Sequence, residues 1–157
     1  MIKQISDPLY IFLDIDGVLN AKPDWTIKFS IRESCLMALK ECVKQLRKIY
    51  PEIRVVICST WRAGKSVNGD SDAKQYLVLR NKLQDIGIDI YGETPISNKG
   101  RQAEVEYYIR RNAINYSLII DDDPSLYDDI SRLNFYKPDY RTGLKKEDVK
   151  RIVKQLN

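Results

Sequence analysis

Residues 10–20 read YIFLDIDGVLN. Tyr10 to Leu13 continue an apolar run that begins at Leu9, as a strand buried on both faces does. The run ends in Asp14 and Asp16, one residue apart, and then Gly17. Two carboxylates at the end of a buried strand repel each other and lose hydration. Such a pair reads either as a turn with two solvated carboxylates or as part of a cluster that a cation joins. Alternate residues of a strand share a face, so Asp14 and Asp16 point one way and Ile15 the other, into the core. Gly17 permits a sharp turn directly after the strand.

Four further apolar runs of strand length follow: IRVVIC (53–58), IDIY (88–91), SLII (117–120) and LNFY (133–136). Between them apolar residues recur at three- and four-residue steps, which predicts helices over 31–50, 73–86, 100–113 and 144–156. Gly87 is the expected C-cap of the second. Strands alternating with helices predict an α/β fold, a parallel sheet with helices on both faces. A length of 157 residues predicts one domain over 1–157, and 43% hydrophobic residues suffice for its core.

Composition removes several chemistries. Histidine is absent, so Ser-His-Asp, Cys-His and His-metal sites are excluded. Cys35, Cys42 and Cys58 form no CxxC pair and read as reduced, buried thiols. No stretch approaches the roughly 20 apolar residues of a membrane span, and the N-terminus lacks a signal-peptide core. The expected location is cytoplasmic. The net charge of +4, from 26 Lys and Arg against 22 Asp and Glu, is weak evidence for a polyanionic partner.

Open parallel sheets bind ligands beyond the C-terminal ends of their strands. The second strand ends in Ser59-Thr60-Trp61-Arg62, the fourth in Asp121-Asp122-Asp123-Pro124, and Lys99-Gly100 opens the helix before the fourth. If the first and fourth strands are neighbours, four or five carboxylates converge. Mg2+ is the obvious cation for such a cluster, because it takes oxygen ligands and phosphate oxygens. Magnesium, a hydroxyl and a lysine around one point form a trap for a phosphoryl group, and a carboxylate is the available nucleophile.

The ordered motifs FLDIDGVL (12–19), VVICST (55–60), NKG (98–100) and LIIDDDP (118–124) resemble those of the haloacid dehalogenase (HAD) superfamily of phosphotransferases. The resemblance implies a three-layer Rossmann-like sheet of five strands in the order 5-4-1-2-3, without a large cap. It implies Mg2+-dependent hydrolysis of a phosphomonoester through an aspartyl-phosphate. Asp14 would be the nucleophile and Asp16 the acid that protonates the leaving oxygen, then the base that activates water. Asp14, the backbone carbonyl of Asp16 and Asp122 would hold the metal, with Asp121 in support. Ser59 would bind phosphoryl oxygens, with Thr60 sharing or replacing it, and Lys99 would neutralise charge. Residues 18–30 would form a helical turn and a β-hairpin flap.

An uncapped site is open, which suits a phosphate on a macromolecule. The STWR of 59–62, the triple acid and the TGL of 142–144 resemble a compact HAD subgroup that includes domains of RNA-repair and polynucleotide-end-processing proteins. The expected substrate is therefore a nucleic-acid end or a nucleotide, with a phosphoprotein or small metabolite as the alternative. Arg62 and Lys65 are candidate substrate contacts, and Trp25 and Trp61 can either stack on a base or pack in the core. The basic tail from Arg141 to Lys154 reads either as a solvated helix face or as part of a phosphate-backbone track. Tyr107 and Tyr108 read as packing. A receiver-type phosphoacceptor domain uses similar groups, but its phosphorylated aspartate ends the third strand, not the first.

Overall fold

A computed structural model describes residues 3–65 and 70–157. Five strands, β1 (Leu9–Leu13), β2 (Ile53–Ile57), β3 (Ile90–Glu93), β4 (Tyr116–Ile120) and β5 (Phe135–Tyr136), form one sheet in the order β3-β2-β1-β4-β5. Every pairing is parallel. This is the expected order, with β1 at the centre between β2 and β4. Among the described residues α1 (Glu33–Leu46), α2 (Asp70–Asp85) and α3 (Arg101–Arg111) connect successive strands, and α4 (Lys146–Leu156) follows β5.

Strand parity divides the core into two layers. Leu9, Ile11, Leu13 and Ile15 of the first strand face one side, with Val55, Ile57, Leu118 and Ile120. Apolar residues of α1, α2 and α4 cover them, among them Leu39, Leu83 and Ile152. Tyr10, Phe12, Val56, Cys58 and Ile119 face the other side, where Val105 of α3 packs. Asp14 and Asp121 share the parity of that second side. The chemistry therefore meets the start of α3.

Several boundaries differ from expectation by a few residues, and the expected flap is absent among the described residues. The third strand begins at Ile90 and not at 88, because Gly87 and Ile88 still donate their N–H groups to Gln84 and Leu83 in the turn that closes α2. Residues 18–30 form turns and a short 3-10 helix, Lys22–Asp24, with no strand of a β-hairpin flap. The hydrogen-bonding groups a hairpin would pair internally are used elsewhere. Lys22 N–H donates to Tyr140 O, Arg32 N–H to Leu19 O, and Arg32 Nε pairs with Asp24 Oδ2 at 2.6 Å.

Among the described residues no large cap is inserted between β1 and α1 or between β2 and β3, and no helix is long and apolar enough to cross a membrane. Cys35, Cys42 and Cys58 are free and buried. Burial pushes all three thiols up, Cys42 to about 12, so they remain protonated and unreactive.

Candidate active site

The ladder of β1 ends with Asp14 N–H donating to Ile120 O. From there a shallow cleft opens, lined by Asp14, Asp16, Ser59, Thr60, Asp122 and the Arg101 guanidinium, with Trp25 on one wall. One ligand oxygen each from Asp14, Asp121 and Asp122 lies within 4.8 Å of the others. Asp14 and Asp121 are buried and Asp122 is half-buried. Burial, reinforced by Asp121, raises the Asp14 pKa well above the carboxylate range, and burial raises that of Asp122. Three clustered carboxylates with no thiol or imidazole among them make the hard oxygen donor set that Mg2+ takes.

The resident positive charge is Arg101, the first residue of α3. Its Nη1 lies 2.8 Å from Asp121 Oδ2 and 3.3 Å from Asp14 Oδ1. Lys99 is exposed two residues earlier and makes no ion pair among the described residues. Strand parity supplies the signal that motif spacing missed. Asp14 and Asp121 face the side that α3 covers, so the helix's opening residue reaches them.

Both oxygens of Asp121 are engaged. Its Oδ1 accepts from Asp123 N–H at 3.0 Å, and its Oδ2 accepts from Arg101 and from the Tyr127 hydroxyl at 2.9 Å. Asp122 sits forward of it, against the Gly17 turn. Gly17 has φ 81°, and a Cβ there would overlap the Asp122 carboxylate. The glycine thus allows both the turn and the close approach. Gly17→Ala is expected to destabilise the fold by about 1–3 kcal/mol, as a non-glycine residue held in this region does, readable in urea unfolding.

Asp16 is exposed and stands outside the three-carboxylate cluster. Its Oδ1 accepts from Asn20 Nδ2 at 2.9 Å and from Trp61 Nε1 at 3.2 Å. Asn20 was not foreseen. It is 2% exposed, and its Oδ1 accepts from Gly17 N–H and Trp25 Nε1, both at 3.0 Å. Trp61 is both core and contact, buried in the main cluster with its N–H turned to Asp16. Ser59 is buried at the cleft floor, where its Oγ accepts from Trp61 N–H at 3.2 Å, and Thr60 is exposed at the rim.

Arg62 does not line the cleft. It is 5% exposed, and its five N–H donors point to the carbonyls of Thr94, Cys58, Ser59 and Pro95 and to the Glu104 carboxylate. It fastens the chain after β2 to the start of α3 and has no donor left for substrate. Arg62→Lys keeps the charge but loses the fork. A loss of about 2 kcal/mol is expected, seen as a lower melting temperature with KM unchanged. The side chain of Lys65 lies outside the described residues. Tyr108 packs edge-on against Phe12, whereas Tyr107 is exposed.

These features define a class: an open, parallel α/β protein with an acidic centre at the carboxyl edge of its sheet. A family model described as "HAD domain in Swiss Army Knife RNA repair proteins" matches residues 10–149, and the chain belongs to that family. Membership implies phosphohydrolase chemistry of the HAD superfamily, which generally uses Mg2+. No curated protein and no solved structure matched the chain.

Proposed function

We propose that this chain is a Mg2+-dependent phosphomonoester hydrolase that works through an aspartyl-phosphate on Asp14 and acts on a nucleic-acid end or nucleotide phosphate. The supporting observation is the convergence of Asp14, Asp121 and Asp122 within 4.8 Å, with Arg101 among them and the Ser59 hydroxyl lining the same cleft. The description of the matched family, RNA repair, supports the substrate class.

In this reading a carboxylate oxygen of Asp14 attacks phosphorus, and the bond from phosphorus to the leaving oxygen breaks. Asp16 gives that oxygen its proton. Asp16 then takes a proton from water as the water oxygen attacks the aspartyl-phosphate, releasing inorganic phosphate and restoring Asp14. Asn20 and Trp61 hold Asp16 by one oxygen and leave the other to carry the proton.

Asp14, Asp122 and the backbone carbonyl of Asp16 would hold Mg2+, which when bound neutralises phosphoryl charge. Asp121, held by Arg101 and Tyr127, keeps the set in place from behind. Ser59 and Thr60 bind phosphoryl oxygens. Arg101 supplies the fixed positive charge that the sequence assigned to Lys99.

The test is a side-by-side panel of an aryl phosphate, a 5′-nucleotide, phosphorylated oligonucleotides and a phosphopeptide, with Mg2+ and with chelator. Mg2+-dependent release of phosphate with preference for the nucleotide substrates is the expected result. Turnover unaffected by chelator would overturn the metal dependence.

A further inference from the structure

Trp25 is 45% exposed on the cleft wall, yet its indole is fixed. Nε1 donates to Asn20 Oδ1, and the same Asn20 donates to Asp16 Oδ1. The ring is therefore oriented by the residue that orients the acid. Beside it lies Tyr140, 36% exposed, with ring centroids 6.2 Å apart and planes inclined by 33°. The Lys22 ammonium stands 5.7 Å from the Tyr140 centroid. Two large apolar rings left in water beside a polar cleft are not explained by packing.

Tyr140 also walls a second pocket of about 340 Å³, lined by Lys137, Arg141, Lys145 and Arg151 as well as two aspartates. Arg141 is committed to Asp139 at 2.8 Å and Arg151 lies 3.6 Å from Asp148. Lys137 and Lys145 are exposed there. One path thus runs from the carboxylates across an aromatic pair to a pocket with two exposed ammonium groups.

We infer that Trp25 and Tyr140 form a stacking platform for the base of the terminal nucleotide of a single strand whose end phosphate occupies the acid cleft, and that the Tyr140 pocket takes a following backbone phosphate. The inference rests on the phosphohydrolase reading above. Stacking on an aromatic face accepts any base, and flanking lysines track phosphates without reading sequence. A phosphoserine peptide offers no planar group of this kind next to its phosphate.

The experiment uses the Mg2+-loaded chain and short single strands phosphorylated at the 3′ or 5′ end, each with a base-bearing and an abasic terminal nucleotide. Wild type is expected to favour the base-bearing end by roughly tenfold in kcat/KM, within the range for one stacked base. Trp25→Ala is expected to bring that ratio close to one, and Trp25→Phe, which keeps the ring but not the N–H, to retain it. A second readout needs no turnover. In Asp14→Asn the oligonucleotide should quench tryptophan fluorescence, and the quench reports Trp25 because Trp61 is 2% exposed. The double substitution Lys137→Ala, Lys145→Ala should flatten the salt dependence of binding by about one to two in slope.

Equal rates on base-bearing and abasic ends would overturn the inference. So would a Trp25→Ala variant that slows both ends alike with the ratio kept, which would reduce the indole to a prop for Asn20, or a phosphopeptide that competes equally. An unchanged salt slope would remove the pocket from the inference. Turnover of an aryl phosphate with no base effect sinks this inference alone, whereas no turnover of any phosphomonoester sinks the proposed function.

Discussion

Asp14→Asn is expected to abolish Mg2+-dependent phosphomonoester hydrolysis, lowering kcat by about 10⁴-fold or more, as removal of a nucleophile does. The same substitution is expected to make the metal-free protein more stable. Asp14 is 5% exposed beside Asp121 and Asp122, and its pKa is held well above the ordinary range by burial and by Asp121. An acid whose pKa is raised on folding imposes no penalty below its unfolded pKa of about 4. The penalty grows as pH rises from there to the folded pKa and is complete above it. Asparagine removes that charge, and Arg101 keeps Asp121 at 2.8 Å. A gain of about 1 kcal/mol corresponds to roughly 2–4 °C at this chain size. Thermal melts at neutral and acid pH, alongside phosphate release, check both halves. Full activity in the variant, or a fall in its melting temperature, would contradict the account of the site.

The second large effect is expected at Arg101. Arg101→Met leaves Asp14 and Asp121 buried without their shared partner, and breaking a buried ion pair from one side costs about 3–5 kcal/mol. The melting temperature should fall by roughly 10 °C. Activity should fall by about 10²-fold or more, as when one donor to a developing charge is removed. Two controls make the assignment specific. The stability loss should shrink at low pH, where Asp14, whose pKa burial raises, is neutral and no longer needs the guanidinium. Lys99→Ala, two residues away, should change kcat by less than about threefold, as exposed substitutions do. A large effect at Lys99 with none at Arg101 would reverse the assignment.

The contrast between these positions shows where the sequence was readable. LYIFLD announced a buried central strand because the five residues before the aspartate carry no charge, and the chain stays buried through Ile15. The order of strands came with the resemblance that the four ordered motifs carry, which sets Asp14 beside the acids of LIIDDDP. The cluster of Asp14, Asp121 and Asp122 was visible for the same reason. Arg101 was not, because a lysine beside a glycine draws attention while the deciding quantity is which sheet face a helix covers. Arg62 misled in the opposite way. A charged residue directly after a strand end looks like a ligand, and only the carbonyls brought near from residues 94 and 95 show it to be a buried fastener. Asn20 could not be found from pattern at all. Its four partners come from residues 16, 17, 25 and 30, and their meeting depends on a loop without regular periodicity.

That loop is held from a distance. Leu144 N–H donates to Val18 O, Lys22 N–H to Tyr140 O, and a Cβ on Gly143 would collide with the Asn20 carbonyl and the Cys35 sulfur. The turn carrying Asp16, Asn20 and Trp25 is therefore seated against residues made more than a hundred positions later. During synthesis Asp14 and Asp16 emerge first, as ordinary hydrated carboxylates. Asp14 cannot become desolvated, nor Asp16 be seated, until β4 has paired and the stretch from 139 to 144 has closed over the turn. The ribosome thus delivers the reactive groups early and the clamp that matures them late, so a chain stalled before its final quarter would hold every side chain of β1 and none of its chemistry.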